Sequence, residues 1–472
     1  MSGTPIFRLL CLIIMTASIA AAGRSTNKPY RMDSLSYADK PALRSADWVK
    51  DGVIYCVYLR SFSKEGTFAA LEARIPELKA LGVTIIWLMP IHPVGLKNRK
   101  GTLGSPYSVR DYYDTNPEFG TMVDFQSLLN TVHQNGMKLV IDLVADHTSW
   151  DSKLIKAHPE WYKKDAAGKI ISPNNDWTDV AALDYSKPGL RTYMIDMMEW
   201  WVRETGIDGF RCDVAEMVPT DFWEEARVRL DAVKDVLMLS EGSAPEHHLK
   251  AFDITYSWDV YDALLPLLKG KRPASYIDEM IRKDSLLYPS GSIRLRFNTN
   301  HDKNAWDAPA VVKFGEEGLK LSAVLVNTIA GIPLLYNGEE VPNAKKLSLF
   351  EKVEIDWDKP IADIKNLYST LFSLRKNHKA ISRGKLLRVP TTDDADIYAF
   401  FRTNANDRVL VALNFSDTAL KAALEIPLEK IFPGKSQIKM TDVFTGKVIT
   451  IDRGKVADLE MEPKGYRVFE MK

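Results

Sequence analysis

Cysteine is scarce in this chain, with three in 472 residues. Cys11 lies in the N-terminal apolar run, which leaves Cys56 and Cys212, each inside an apolar strand pattern. Two such thiols read as unpaired core residues, which excludes a disulfide framework. No Cys or His spacing matches a zinc or haem site. Net charge is also missing: Lys+Arg and Asp+Glu both number 62. A neutral chain offers no global electrostatic case for binding nucleic acid. Low-complexity segments and short tandem repeats are absent as well.

What the chain does have is apolar content, 46% of residues, enough for a large core. Its length exceeds the usual single-domain size. At the N-terminus Arg8 precedes the run LLCLIIMTASIAAA, shorter than the roughly 20 residues of a spanning helix. With Ala20-Ala21-Ala22 as a small-residue cleavage site, residues 1–22 read as a signal peptide. The expectation is therefore a secreted or periplasmic protein with no membrane association after cleavage. The apolar run follows Cys11, which argues against lipidation.

The middle of the chain alternates short apolar runs with helical patterns. Eight runs read as strands: 53–58, 83–88, 138–144, 207–213, 236–241, 251–254, 293–298 and 332–336. They are continuous instead of alternating, as parallel strands buried on both faces are. Pro188 fits a first helical turn, Gly206 ends that helix, and Asp221 with Glu224 reads as a capping box. Gly82, Gly136 and Gly331 also stand between a helix and the next strand. Eight strand–helix alternations favour an α/β fold of the closed (β/α)₈ TIM-barrel type. One connection, 148–187, is too long for a βα loop and reads as a small subdomain inserted after the third strand. After about residue 380 short strands separated by turns predict a C-terminal all-β sandwich. The expected division is 1–22 signal, 23–47 N-terminal segment, 48–378 barrel with its 148–187 insert, and 379–472 β-sandwich.

Chemistry in a barrel collects at the C-terminal strand ends. Here the third strand ends in ADH, the fourth in GFRCD, the fifth in LSE, and NHD follows the seventh. Arg211 and Asp213 are two apart on a strand, so they point the same way, inward, and Cys212 the other. A guanidinium beside Asp213 keeps that carboxylate ionised. Glu241 ends an apolar run with no basic residue adjacent in sequence, so its pKa is expected above that of Asp213. Ionised nucleophile beside protonated acid is the pair that retaining glycoside hydrolysis uses. His133 and His158 read as packing residues; His147 and His301, each beside a carboxylate at a strand end, read as functional. His92 is open between the two. Trp150, Trp161, Tyr162 and Trp177 either pack the insert or line an outer sugar subsite.

The segments DLVADH (142–147), GFRCDVAEM (209–217), LMLSEG (237–242) and FNTNHD (297–302) resemble, in order and spacing, the four motif regions of the α-amylase family, glycoside hydrolase family 13. IYCVYLRSF, IWLMPIHPVG, SPYSVRDYYDTNPEFGT and GIPLLYNGEE resemble its flanking segments. The resemblance runs from about residue 50 to the C-terminus. It implies Asp213 as nucleophile, Glu241 as acid/base and Asp302 as the carboxylate that binds sugar hydroxyls and stabilises the transition state. It implies further that Arg211 positions Asp213, that His147 and His301 bond sugar hydroxyls, and that Tyr107 stacks on the sugar ring. Asp142 belongs to the supporting shell.

The expected reaction is double-displacement cleavage of α-1,4-glucosidic bonds in starch and maltooligosaccharides. The alternatives are an exo-α-glucosidase or 4-α-glucanotransferase of the same family, or a non-catalytic barrel scaffold. Some positions depart from the family pattern. Asp146 replaces an Asn that often takes part in a calcium site, so a structural Ca²⁺ there is one expectation, although the chemistry itself requires no cofactor. Met217 and Val218 replace a Lys and a His, and Gly242 replaces a bulky residue. The stretch SFSKEGTF is too short for a second calcium loop, and no N-terminal carbohydrate-binding or dimerisation domain is expected.

Overall fold

The computed structural model describes residues 36–358, 362–426, 428–452 and 457–471. The signal-peptide reading of 1–22, Cys11 and most of the N-terminal segment lie outside them. Tyr37–Lys472 forms one compact unit. Among the described residues no helix is long and apolar enough to cross a membrane.

The first strands are β1 (Ile54–Val57), β2 (Ile85–Leu88) and β3 (Lys138–Leu143), followed by β4 (His147–Ser149) and β5 (Val180–Ala182) of the insert. Then come β6 (Gly209–Cys212), β7 (Leu237–Ser240), β8 (Ile254–Tyr256), β9 (Ile293–Arg296) and β10 (Ile332–Tyr336). Eight of these close a parallel barrel in the order β1-β10-β9-β8-β7-β6-β3-β2. Almost every residue of these strands is buried, because the barrel interior lies on one face and the helices on the other. Tyr55, Ile86, Leu139 and Phe210 pack among the helices, whereas Ile54, Trp87, Val140 and Leu239 fill the interior. Cys56 and Cys212 are buried and unpaired.

Two local expectations are corrected. The sixth strand runs over 254–256, not 251–254, because Ala251 still has helical dihedrals behind His247–Lys250. Asp253 is a brace: its carboxylate accepts from Met238 N and Arg227 Nη1, both at 2.9 Å. The burial that imitates a strand there belongs to a helix end. Asp221 and Glu224 form no capping box; both lie inside the helix Thr220–Asp231, whose N-cap is Pro219, and they pair with Arg191 and Lys250. A capping box does exist at Thr121 and Asp124. Pro188 begins its helix, and Gly206, at φ 90, ends it after a π-turn over Trp201–Thr205.

The insert is an antiparallel β4–β5 pair with short helices. The connection 89–121 after β2 is also long and docks on it, through Ser149 N to Val109 O at 2.9 Å and Lys153 N to Arg110 O at 3.0 Å. The C-terminal strands are β11 (Lys385–Val389), β12 (Ile397–Asn404), β13 (Asp407–Asn414), β14 (Leu420–Leu424), β15 (Gln437–Asp442), β16 (Val448–Asp452), β17 (Ala457–Met461) and β18 (Tyr466–Met471). They form an antiparallel six-stranded sheet, β11-β12-β13-β18-β15-β16, and a β14-β17 pair, with a shared apolar core between them.

Candidate active site

The site is assembled by strand register. In the β6–β7 pairing Arg211 lies opposite Leu239 and Cys212 opposite Ser240, so Asp213 and Glu241 leave the rim side by side. Arg211, wholly buried, reaches up between them. Its Nη1 donates to Asp142 Oδ1 at 2.8 Å and Asp213 Oδ1 at 2.7 Å. Its Nη2 lies 2.9 Å from Glu241 Oε2 in an ion pair. Backbone bonds fix the two carboxyl-bearing segments: Asp213 N to Leu143 O at 2.9 Å and Glu241 N to Cys212 O at 3.0 Å. Val214, directly after Asp213, is held at φ 37, a costly conformation for a β-branched residue. There its N–H donates to Glu241 Oε2 at 2.8 Å.

The expectation that Arg211 holds Asp213 below the ordinary carboxylate range is corrected. Glu241 does have a basic neighbour, the same Arg211, contributed by the adjacent strand. Asp213 is pushed well above the ordinary carboxylate range by burial; Arg211 pulls it down, while Glu241 and Asp142 push it up again. Asp142 is raised to about 7, again by burial first and against Arg211. Asp302 is raised by burial too, although its side chain is 35% exposed to the cleft. Burial and mutual repulsion outweigh the single guanidinium, which holds Asp142 and Asp213 above the ordinary carboxylate range.

The predicted residues Asp142, Tyr107, His301, Asp302, Arg211, Asp213 and Glu241 come together. Asp142 Oδ2 accepts from Trp87 Nε1 at 3.3 Å and Tyr107 OH at 3.2 Å. Tyr107 OH lies 2.7 Å from His301 Nε2, and the two rings stack at 5.6 Å. Burial, with Arg211 nearby, lowers His301 to about 3, so its ring is neutral. His147 is adjacent but already engaged: Nε2 faces Tyr107 O at 3.1 Å and Nδ1 faces Asp146 Oδ1 at 2.7 Å. Its pKa is raised, because the Asp146 carboxylate outweighs burial.

His92, His133 and His158 lie elsewhere. His92 is buried against Tyr112 and Trp201, and burial lowers it to about 4. His133 pairs with Asp208, and His158 stacks on Trp161. Trp177 reaches His147, whereas Tyr162 and Trp161 pack the insert. Glu216 is a residue the sequence reading missed. Its Oε1 accepts from Ala244 N at 2.9 Å and from Ser243 N at 2.5 Å, tying the loop after β6 to the loop after β7. A Cβ on Gly242 would lie 2.7 Å from that oxygen. The absence of a side chain at 242 was the available signal.

Asp146, His147 and Asp213 could converge on a metal ion. They do not fit calcium, which takes six to eight oxygens. Asp213 is held by Arg211, and His147 offers nitrogen. The nearby carbonyls of Val144, Ala145 and His147 accept from Tyr112 and Tyr185 hydroxyls. The insert's Asp179 is paired with Lys100 at 3.2 Å. Asp146 is a partner of His147 in this arrangement.

A closed parallel barrel with paired carboxyl groups around one arginine at its C-terminal rim defines a barrel glycoside hydrolase. Residues 44–178 and 173–253 match the family described as alpha amylase, catalytic domain. The solved maltogenic α-amylase AmyB of Thermotoga neapolitana is 32% identical, with a TM-score of 0.82 over 89% of this chain and 99% of that one. An α-amylase from Lactobacillus plantarum is 29% identical, with a TM-score of 0.78 over 89% and 99%. The α-amylase MalA of Haloarcula japonica is 27% identical over 84% of this chain, which spans 58% of that protein's length. The chain belongs to the α-amylase family.

Proposed function

We propose that the protein hydrolyses α-1,4-glucosidic bonds in starch-type glucans and maltooligosaccharides with retention of configuration. The observation that carries this reading is Arg211 bridging Asp213 and Glu241, with Asp302 exposed to the same cleft. Asp213 attacks the anomeric carbon while Glu241 gives its proton to the departing glycosidic oxygen. The C–O bond breaks, and the sugar remains as an ester on Asp213. Glu241, now ionised, takes a proton from water, the water oxygen attacks the same carbon, and Asp213 is released. Asp302 and the neutral His301 hold hydroxyls of the reacting sugar, and Tyr107 forms the wall against its ring. Arg211 and Asp142 are positioning residues that set the charge on Asp213.

A second reading, release of short products from chain ends, is favoured by the similarity to a maltogenic enzyme. The test is digestion of soluble starch and of a maltoheptaose blocked at its non-reducing end, with Glu241→Gln as control. Cleavage of the blocked substrate supports internal cutting. Cleavage only of unblocked chains moves the assignment to exo action, and chain-length scrambling moves it to a transferase. Inertness toward all of them defeats the α-glucan reading. We also propose export by cleavage near Gly23; N-terminal sequencing of the exported protein checks it.

A further inference from the structure

Among the described residues Trp306 is the only aromatic side chain that stands exposed, at 60%. It belongs to the π-turn Lys303–Asp307, which begins directly after Asp302. Its indole N–H is bonded to the Asp302 carboxylate. Its ring leans on Phe350 of the loop after β10, with centroids 5.6 Å apart and planes at 60°. The fold holds both ends of this arrangement. Phe350 O accepts from Leu103 N at 3.1 Å, and Glu351 Oε1 accepts from Thr102 N at 2.8 Å. These bonds tie the backing of the indole to the connection that carries Tyr107. At the start of the turn Lys303 Nζ lies over the rings of Trp258 and Tyr261, at 5.3 and 5.1 Å.

An indole left in water forgoes burial, and one fixed on two sides loses little freedom when a ligand packs on it. A pyranose ring offers an apolar face of C–H groups, which suits a flat aromatic surface with a polar edge. The direction follows from the order of strands. Glu241, after β7, protonates the departing oxygen, so the leaving part of the substrate lies on its side. Asp302 follows β9 and Phe350 follows β10, progressively away from β7 around the barrel. We propose that Trp306 is the platform for the glucose unit next to the reacting sugar on its non-reducing side. It makes the enzyme prefer substrates with at least two sugars on that side of the cleaved bond. Because the indole is bonded to the carboxylate that holds the reacting sugar, the two sugars are kept in one register. This inference rests on the α-glucan reading.

The experiment compares α-glucosyl fluoride with α-maltosyl fluoride, which share a leaving group and differ by one sugar on the non-reducing side. Fluoride release is measured for the full mature chain as wild type, Trp306→Ala and Trp306→Phe. The readout is the ratio of kcat/KM on the maltosyl to that on the glucosyl compound. Wild type is expected to favour the maltosyl compound by about tenfold, the scale of one aromatic contact. Trp306→Ala is expected to bring the ratio near one. Trp306→Phe keeps the ring without the N–H, so it should retain most of the ratio even where both rates fall. A wild-type ratio near one overturns the proposal. So does a ratio that survives in Trp306→Ala, which would leave the indole as a positioning residue for Asp302 alone. A ratio lost equally in Trp306→Phe also overturns it. Wild type inert toward both fluorides and toward starch would defeat the α-glucan reading and this inference with it. Activity on starch with an unaltered ratio defeats this inference only. If Trp306→Ala does not fold, Trp306→Leu, which also lacks the flat ring, takes its place.

Discussion

Arg211 sets the chemistry at the scale of single residues. Its two terminal nitrogens hold Asp142, Asp213 and Glu241, a geometry only a planar guanidinium provides. Arg211→Lys is expected to fold but to lose at least about 100-fold in kcat, because a point charge cannot hold three carboxylates in register. Circular dichroism with steady-state kinetics checks it. Glu241→Gln is expected to lower kcat on starch by about 1,000-fold, the scale of a lost general acid. The first step on an α-glucosyl fluoride, whose leaving group needs little protonation, should suffer far less. Equal losses on both substrates would remove Glu241 from the acid role. Asp142 gives a pH prediction. Its carboxyl titrates near 3.8 when unfolded and at about 7 when folded. Between those values the folded state holds a proton that the unfolded state has released, so stability falls as pH rises through that window. Asp142→Asn lacks this slope and should gain stability relative to wild type from pH 4 to 7. Urea unfolding at both ends of the window measures it, and an unchanged difference would place the retained proton elsewhere in the cluster.

At the scale of elements, what could be read from the sequence follows from what each pattern encodes. Strands buried on both faces are continuous apolar runs, so the barrel strands were visible. Ala251 and Phe252 misled because a buried helix end is apolar as well. The 148–187 insert stood out by length, whereas its dependence on 89–121 is a cross-chain docking that spacing does not show. Asp213 beside Arg211 was legible because residues two apart on a strand share a face. Arg211 beside Glu241 was not, since it arises from the β6–β7 register. The same register explains the Glu216 tie. Glu216 accepts two backbone N–H groups of the neighbouring loop, a contact that only the fold brings about. Gly242→Ala should force this carboxylate aside and destabilise the fold by about 1–3 kcal/mol, the usual penalty of overpacking. Glu216→Ala should cost a similar amount by leaving Ser243 N and Ala244 N unbonded. The double variant should then cost less than the sum, since both act through one contact. Strict additivity in a denaturant double-mutant cycle would sink this reading.

At the scale of the molecule, the C-terminal sheet is sandwiched on both faces. Along β12, Tyr398 and Phe400 belong to the barrel's apolar cluster, while Ile397, Ala399 and Phe401 belong to the core shared with β14 and β17. The next strand alternates likewise, Val409 and Val411 toward the barrel, Leu410 and Ala412 away from it. A two-residue period with both faces apolar is how a sheet reads when it lies between two layers. Polar bonds add to the seam: Arg402 Nη1 donates to Thr328 O at 2.7 Å and Nη2 to Gly384 O at 2.8 Å. Tyr398 OH likewise donates to Asp278 Oδ1 at 2.7 Å and Lys464 Nζ to Leu268 O at 2.6 Å. A sheet so bonded cannot melt without exposing the barrel's own apolar surface. The chain is therefore expected to unfold in one calorimetric transition, with barrel and C-terminal sheet lost together. Phe400→Ala, which empties volume on the barrel side, should lower that single transition by about 3–5 kcal/mol of stability. Phe401→Ala, on the opposite face of the same strand, should do so by a comparable amount. Two resolved transitions in wild type, or an early separate melting of the C-terminal sheet in Phe400→Ala, would show that the seam does not couple the two parts.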